Sequence, residues 1–463
     1  MRRGLSAGCA SALMAVATSA FAAGAAPTTG AAPTYNKDIA PIINAKCVTC
    51  HRAGEVAPMS LMSYQEVRPW IRSIKAKVSN REMPPWFADH RFSNFANNAS
   101  LTQEQIDTIV KWVDSGAPQG TGAPPAPPQF AQGWHNMMDR PPDAVIDMPM
   151  KFEIPAEGEL PNFTLWGPNP FKEDKFMEAV ELRPGVIAAT HHSDVNSRPL
   201  PEGTKLAEGP AWAGGPPLKF VPMYPDGVSY NVAVGGGDLS ERESGGEVLQ
   251  ARREQAKNEA FRTTGETRLL FYVPGGGFQK FPAGAVKRIR AGQVLSWGLH
   301  YTPTGKPEVD QHRVGLWFAR TQPKHEVMTV RVGETHIVED HEIGTRNNDA
   351  GGSNIPNIPP MVADWKITAI TAFKDDVTLY GMWPHMHVRG KDMTFVATYP
   401  DGREQVLLHV PKYDFNWQLQ YELKEPVKLP AGSTIKTVGH YDNSPSNRYN
   451  PAPDKPVYWS EQS

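Results

Sequence analysis

The run Cys47-Val48-Thr49-Cys50-His51 constrains this chain more than any other feature. Two thiols separated by two residues and followed at once by histidine form the c-type haem attachment pattern: the thiols bond the porphyrin vinyls and the histidine ligates iron. A redox disulfide or half a zinc site would use the same residue types, but the only other cysteine is Cys9. The N-terminus agrees with haem attachment, which follows export. Arg2 and Arg3 precede an apolar stretch over 13–21, and Ala20-Phe21-Ala22 fits a small-x-small cleavage site,. Residues 1–22 therefore read as a signal peptide, and the protein as exported, to the periplasm or beyond. The apolar run is shorter than the ~20 residues that span a bilayer, so no membrane span is expected after signal removal. Cys9 leaves with the signal.

The flanks of the motif suggest a small helical unit. A short apolar helix is expected over 38–45. A second should follow Ser100, opened by a Thr102–Gln105 capping box, striped by Ile106, Ile109, Val110 and Val113, and stopped by Gly116,. Met83, in Arg81-Glu82-Met83-Pro84-Pro85-Trp86, is the leading sixth iron ligand because a thioether on a proline-stiffened loop can reach the opposite haem face; Met59 and Met62 are its rivals,. Over 33–118 the chain resembles a class I cytochrome c, which implies an all-α domain and an electron-carrying haem.

With 463 residues the chain should contain about three domains,. Its 47 Lys plus Arg against 49 Asp plus Glu give no electrostatic case for a nucleic-acid partner,. Residues 119–140, rich in Pro, Ala and Gly, have linker composition,. Beyond them, β-branched runs punctuated by turns such as Pro225-Asp226-Gly227 and Pro400-Asp401-Gly402 suggest antiparallel sandwiches, with Val314, Leu316 and Phe318 alternating along one strand,. Ala291-Gly292 leads to His300-Tyr301 and Ala431-Gly432 to His440-Tyr441, with eight residues from glycine to histidine in both. This echo suggests two similar β-domains, at 141–321 and 322–463, divided near 320–324. The stretch 202–268 does not read as strands; its charged part, 246–262, is helix-compatible and reads as a surface insertion.

Three groups of histidines stand out. His385 and His387, in an expected strand, share a face and converge as metal ligands do,. His191 and His192 are adjacent, so joint ligation needs a strand end or bulge, which Ser193-Asp194 would provide. His300 closes a strand before a turn. His135, His325 and His409 read as ordinary surface or core histidines.

The series Val180-Glu181-Leu182-Arg183-Pro184-Gly185, His191-His192, His300-Tyr301-Thr302 and His385-Met386-His387 resembles the copper type II, ascorbate-dependent monooxygenases, the family of the peptidylglycine α-hydroxylating and dopamine β-hydroxylating enzymes. The likeness covers 141–463 and is nearest to bacterial members with a fused haem domain, where Arg81-Glu82-Met83-Pro84-Pro85-Trp86 and His440-Tyr441-Asp442-Asn443-Ser444 recur. It implies two jelly-roll-like β-domains. His191, His192 and His300 would hold an electron-storing copper, and His385 and His387 the catalytic copper that meets oxygen. Imidazoles suit copper in both oxidation states, and the family's thioether third ligand favours Cu(I). Relatives carry that methionine shortly after a segment like Val457-Tyr458-Trp459-Ser460-Glu461-Gln462. The sequence ends at Ser463 without it. The expectation is that it is cut just before the ligand; the alternative is a site incomplete or completed differently. His440 is the best-placed substitute by the repeat, against a structural His440 bonded beside Asp442. The animal members' disulfides have no counterpart here.

The function expected is therefore oxygen-dependent C–H hydroxylation, with electrons passed through the haem from an ascorbate-like reductant or a periplasmic redox protein, on a small-molecule or peptide substrate that the sequence does not specify. A non-catalytic haem and copper carrier or sensor is the main rival. A zinc hydrolase ranks last, because no His-Glu-x-x-His base accompanies the histidines.

Overall fold

The computed structural model describes residues 32–130, 134, 138–158, 160, 163–200, 202–209, 217–227, 267–330, 332 and 358–457. The signal segment with Cys9, His135, the stretch 246–262 and residues 458–463 lie outside them. Strands dominate the described chain and helices are few.

The helical part begins with a π-turn at Tyr35–Ile39 and continues as α1 (Ala40–Lys46), α2 (Tyr64–Val67), α3 (Ile71–Ser79) and α4 (Gln103–Asp114). The capping box forms as its residues predict, with the Thr102 hydroxyl accepting from the Gln105 N–H and the Gln105 side chain accepting from the Thr102 N–H,. Ile106, Ile109 and Trp112 bury one face of α4 against Tyr35, Ile39, Ile43 and Val48. Gly116, at φ 90°, supplies the left-handed residue that ends the helix,. The proline-rich stretch after it is tied down at its start: the Tyr35 and Asn36 N–H groups donate to the carbonyls of Pro118 and Gln119, and Arg52 lies over the Phe130 ring.

The helical part is not closed on itself. Between α3 and α4 the chain crosses to the second β-region, where Trp86, Ala88 and Phe95 enter a core with Tyr421 and Leu423. Backbone bonds from Asp89 to His409 and from Ala96 to Glu422 fasten it there. A hydrophobic residue in a loop does not reveal by local pattern which core it will fill, so the sequence gives no warning of this crossing.

The first β-region contains β1 (Ala144–Asp147), β2 (Phe152–Ile154), β3 (Phe163–Pro168), β4 (Lys175–Arg183), β5 (Thr190–Arg198), β6 (Lys205–Ala207), β7 (Val221–Met223), β8 (Thr267–Tyr272), β9 (Phe278–Lys280), β10 (Ala285–Ile289), β11 (Val294–Tyr301), β12 (Glu308–Asp310), β13 (Arg313–Phe318) and β14 (His325–Glu326). One sheet runs β1-β13-β4-β10-β14, with β9 also on β4, and another runs β3-β11-β5-β8. Val180, Leu182, Leu316, Val195, Leu270 and Trp297 from the two sheets share one core. The alternation expected at 314–318 is not inside-to-outside: Gly315 and Trp317 are buried too, and Trp134 and Phe278 cover Trp317. β14 pairs with β10, so the first region's sheet reaches past the expected division at 321.

The second β-region contains β15 (Trp365–Ala372), β16 (Val377–Met382), β17 (Gly390–Thr398), β18 (Glu404–Val410), β19 (Tyr421–Leu429) and β20 (Thr434–Tyr441), in a sheet β15-β20-β17-β18 and a pair β16-β19. Asp401-Gly402 makes the expected turn between β17 and β18, with Gly402 at φ 84°. The echo is also real in form. β11 and β20 are interior strands of eight residues, each following a left-handed glycine and each ending in His-Tyr.

Candidate functional site

His191, His192 and His300 form one group whose ligand atoms all lie within 4.8 Å of one another. The device that brings adjacent residues together is a β-bulge. His192 pairs with His300 across β5 and β11, but Tyr301 pairs with Thr190, so His191 is the extra residue. A bulge re-aims a side chain that regular pleating would turn away. The expected break lay at Ser193-Asp194; instead β5 runs on through both, and the irregularity lies at its start. Gly298, across from Asp194, is needed for the close approach: a Cβ there would collide with the Asp194 carboxylate.

The nitrogens are close enough for a shared ion. His300 Nδ1 is 3.3 Å from His191 Nδ1 and 3.1 Å from His192 Nε2. Nitrogens arranged tetrahedrally at ~2.0–2.1 Å from a metal are separated by about 3.3 Å. Burial pushes all three imidazoles below the ordinary histidine range, His300 to about 4, and the mutual proximity of the rings adds to this at His192 and His300. They are neutral near pH 7, as metal ligation requires.

His385 and His387 also meet, with Nε2 atoms 3.2 Å apart. They do not lie in a strand, contrary to expectation. Residues 383–389 form an irregular loop between β16 and β17 that ends in a turn, with the Gly390 N–H on the His387 carbonyl. The i, i+2 relation survives because Met386 between them is anchored inward: its N–H donates to the Tyr413 hydroxyl at 3.1 Å, which donates back to its carbonyl at 2.7 Å. Gly390 leaves room for Met386, where a Cβ would press on both Met386 and Tyr413. Gln418, 2% exposed, accepts from His385 Nδ1 at 2.5 Å, which leaves Nε2 as the donor atom,. Its own amide faces the Phe415 carbonyl.

The two clusters line one cavity, to which His192, His300, His385 and His387 all contribute. Phe415 touches both, its ring 5.2 Å from His191 and 6.5 Å from His387. On another side, Phe271 of β8 stacks on His192 and rests against Trp383, which neighbours His385.

His440 is not part of either cluster. Its Nδ1 is 2.7 Å from Asp392. The structural alternative therefore holds with a different partner, since Asp442 accepts from Ser444 instead. The rest of that motif supports the histidine loop: Asn443 receives Arg389 Nε and donates to the carbonyls of Pro359 and Lys455, and Asn447 donates to the Val388 carbonyl. His409 bonds Thr394 and packs on Phe92, and His325 is exposed in β14.

Cys47 and Cys50 are free thiols one helical turn apart at the end of α1, and burial pushes both up, Cys47 to about 12. His51 Nδ1 is 3.2 Å from the Met59 carbonyl, which orients the ring and leaves Nε2 for a ligand. That bond puts the Met59 backbone beside His51, while Met59 and Met62 pack against the helical core. Met83 is on the half-buried loop after α3, with its N–H on the Lys77 carbonyl. The motif abuts the first β-region: a Cβ on Gly275, just beyond β8, would lie 3.1 Å from Cys50 Sγ.

Sequence reasoning missed Asp310, His312, Gln418, Phe271 and Phe415. Only the Asp310-Gln311-His312 spacing, the same i, i+2 relation as in the histidine loop, was available as a signal. The chain matches none of the models of known protein families. It also matches no curated protein.

Proposed function

We propose that the chain is a copper-dependent monooxygenase of the copper type II kind, fed with electrons by a covalent haem on a class I-like cytochrome c unit, and that it acts in the periplasm or outside the cell. The observation that carries this reading is the meeting of two imidazole clusters, each with nitrogens at metal-sharing separation, on one cavity. The donor set suits copper. Cys47, Cys50 and His51 likewise suit haem, with His51 already oriented by Met59,.

When bound, copper would supply one-electron and oxygen chemistry and haem the electron supply. The residues supply the rest. His191, His192 and His300 would hold one ion on a half-buried bulge, neutral and ready without loss of a proton. His385 and His387 would hold the other on the loop, with Gln418 fixing the tautomer of His385. Phe271, Phe415 and Trp383 line the space around the clusters with aromatic rings, Phe271 against His192 and Trp383, and Phe415 against His191. Cys50 lies against Gly275, just beyond β8, the strand that carries Phe271 against His192, so a haem held at Cys50 would meet the β-region at that end of the strand.

A haem and copper carrier without oxygenase activity is the second reading, favoured by the fact that only two His, Cys, Asp or Glu donors meet at the loop site among the described residues. Oxygen consumption separates the two. Full-length protein loaded with haem and copper and given a reductant should consume oxygen catalytically, and His387→Ala should stop it. Reduction and reoxidation without sustained uptake would establish the carrier instead.

A further inference from the structure

Behind the three-histidine cluster lies a fully enclosed polar network. His312 Nε2 is 2.7 Å from Asp310 Oδ2, which also accepts the Tyr301 hydroxyl at 2.6 Å. Asp310 Oδ1 accepts the Val186 N–H at 2.7 Å. Ser193 Oγ is 3.0 Å from His312 Nδ1, and Thr190 Oγ1 is 3.5 Å from Nε2. Asp310, His312 and Ser193 are wholly buried, and Thr190 and Tyr301 almost so. Gly185 makes space for the carboxylate, since a Cβ there would lie 2.8 Å from Asp310 Oδ1.

The composition Ser193, His312, Asp310 invites a hydrolytic reading, and the geometry excludes it. The Ser193 hydroxyl donates to the Gly298 carbonyl at 2.8 Å, so its proton is committed away from His312, and no substrate reaches a serine with no exposure,.

The positions of the contacts point to another role. Thr190 and Ser193 flank His191 and His192, and Tyr301 follows His300. Alternation along a strand sends ligand and neighbour to opposite faces, so the neighbours of the cluster reach into the sandwich, where one Asp310–His312 pair collects them. We propose that Asp310, His312 and Tyr301 are positioning residues that hold the β5 bulge and the end of β11 in the register at which the three imidazoles share a metal. The proposal rests on the copper reading of that cluster. Outer partners bonded directly to metal ligands are worth about 10–100-fold in affinity; these residues act through the strand backbone, so the lower end, about 10-fold, is expected.

The test uses the full-length haem-loaded chain carrying His385→Ala and His387→Ala, so that only the three-histidine site binds cupric ion. Copper affinity by chelator competition and the Cu(II) electron paramagnetic resonance spectrum are compared with and without Asp310→Asn and Tyr301→Phe. Both substitutions should weaken binding, Asp310→Asn by about 10-fold, and both should change the spectrum while the haem absorbance is unchanged. If Asp310→Asn does not fold, Tyr301→Phe, which removes one hydroxyl, decides alone. Unchanged affinity and spectrum in a folded Tyr301→Phe protein would overturn the brace and leave the copper reading intact. Absence of copper binding in the parent would overturn both, and is told apart because no substitution is then involved.

Discussion

Two histidine clusters face one cavity, yet they are built differently. His191, His192 and His300 stand on paired strands, one of them displaced by a bulge, with a buried polar network underneath. His385 and His387 stand on a loop, held by Tyr413 through the backbone of Met386, by Gln418 at His385, and by Asn443 and Asn447 at its far end. A cluster on strands inherits its geometry from many ladder bonds and resists local change. A cluster on a loop depends on a few contacts and has room to adjust its ligands. Under the proposed function, the first build would suit a site that only stores an electron and the second a site where a substrate reacts.

The largest expected effect breaks the loop and leaves the strands. Gly390→Val puts a branched side chain where Met386 and Tyr413 already press, and the loop has no route around them. Copper at His385 and His387 should be lost, with the three-histidine site still occupied. Retention of both coppers in a folded Gly390→Val protein would show that the loop geometry is not set by this contact.

A smaller effect sharpens the comparison from the other side. In copper-free protein, burial holds the pKa of His300 at about 4 and lowers those of His191 and His192, against ~6.5 for unfolded histidine,. The folded state then binds fewer protons than the unfolded state. This contribution is fully present above pH ~6.5 and is lost as pH falls from there through about 4,. Urea unfolding across that window should decline more steeply in the parent than in His300→Gln. Equal slopes would mean that burial of the strand cluster does not govern its protonation.

The difference in build also explains what could be read in advance. The adjacent pair His191-His192 demands an irregularity, and one exists, but its place depends on how β11 pairs with β5, which no local pattern encodes. His385 and His387 are recognisable from their spacing whether the backbone is strand or loop. Their support comes from Tyr413 and Gln418, whose roles arise only when the chain folds back. The helix at Gln103–Asp114 was legible to its cap because both halves of the box are local. The crossing of Trp86 into the second β-region was not, since a single aromatic ring carries no address.

The proposed function requires two copper sites and not one. Copper per haem, counted in parent, His300→Ala and His387→Ala proteins, should be two, one and one, with the electron paramagnetic resonance signal of a different site missing in each variant. Loss of all copper in either single variant would mean one shared centre across the cavity, and would contradict the division of roles between strand and loop.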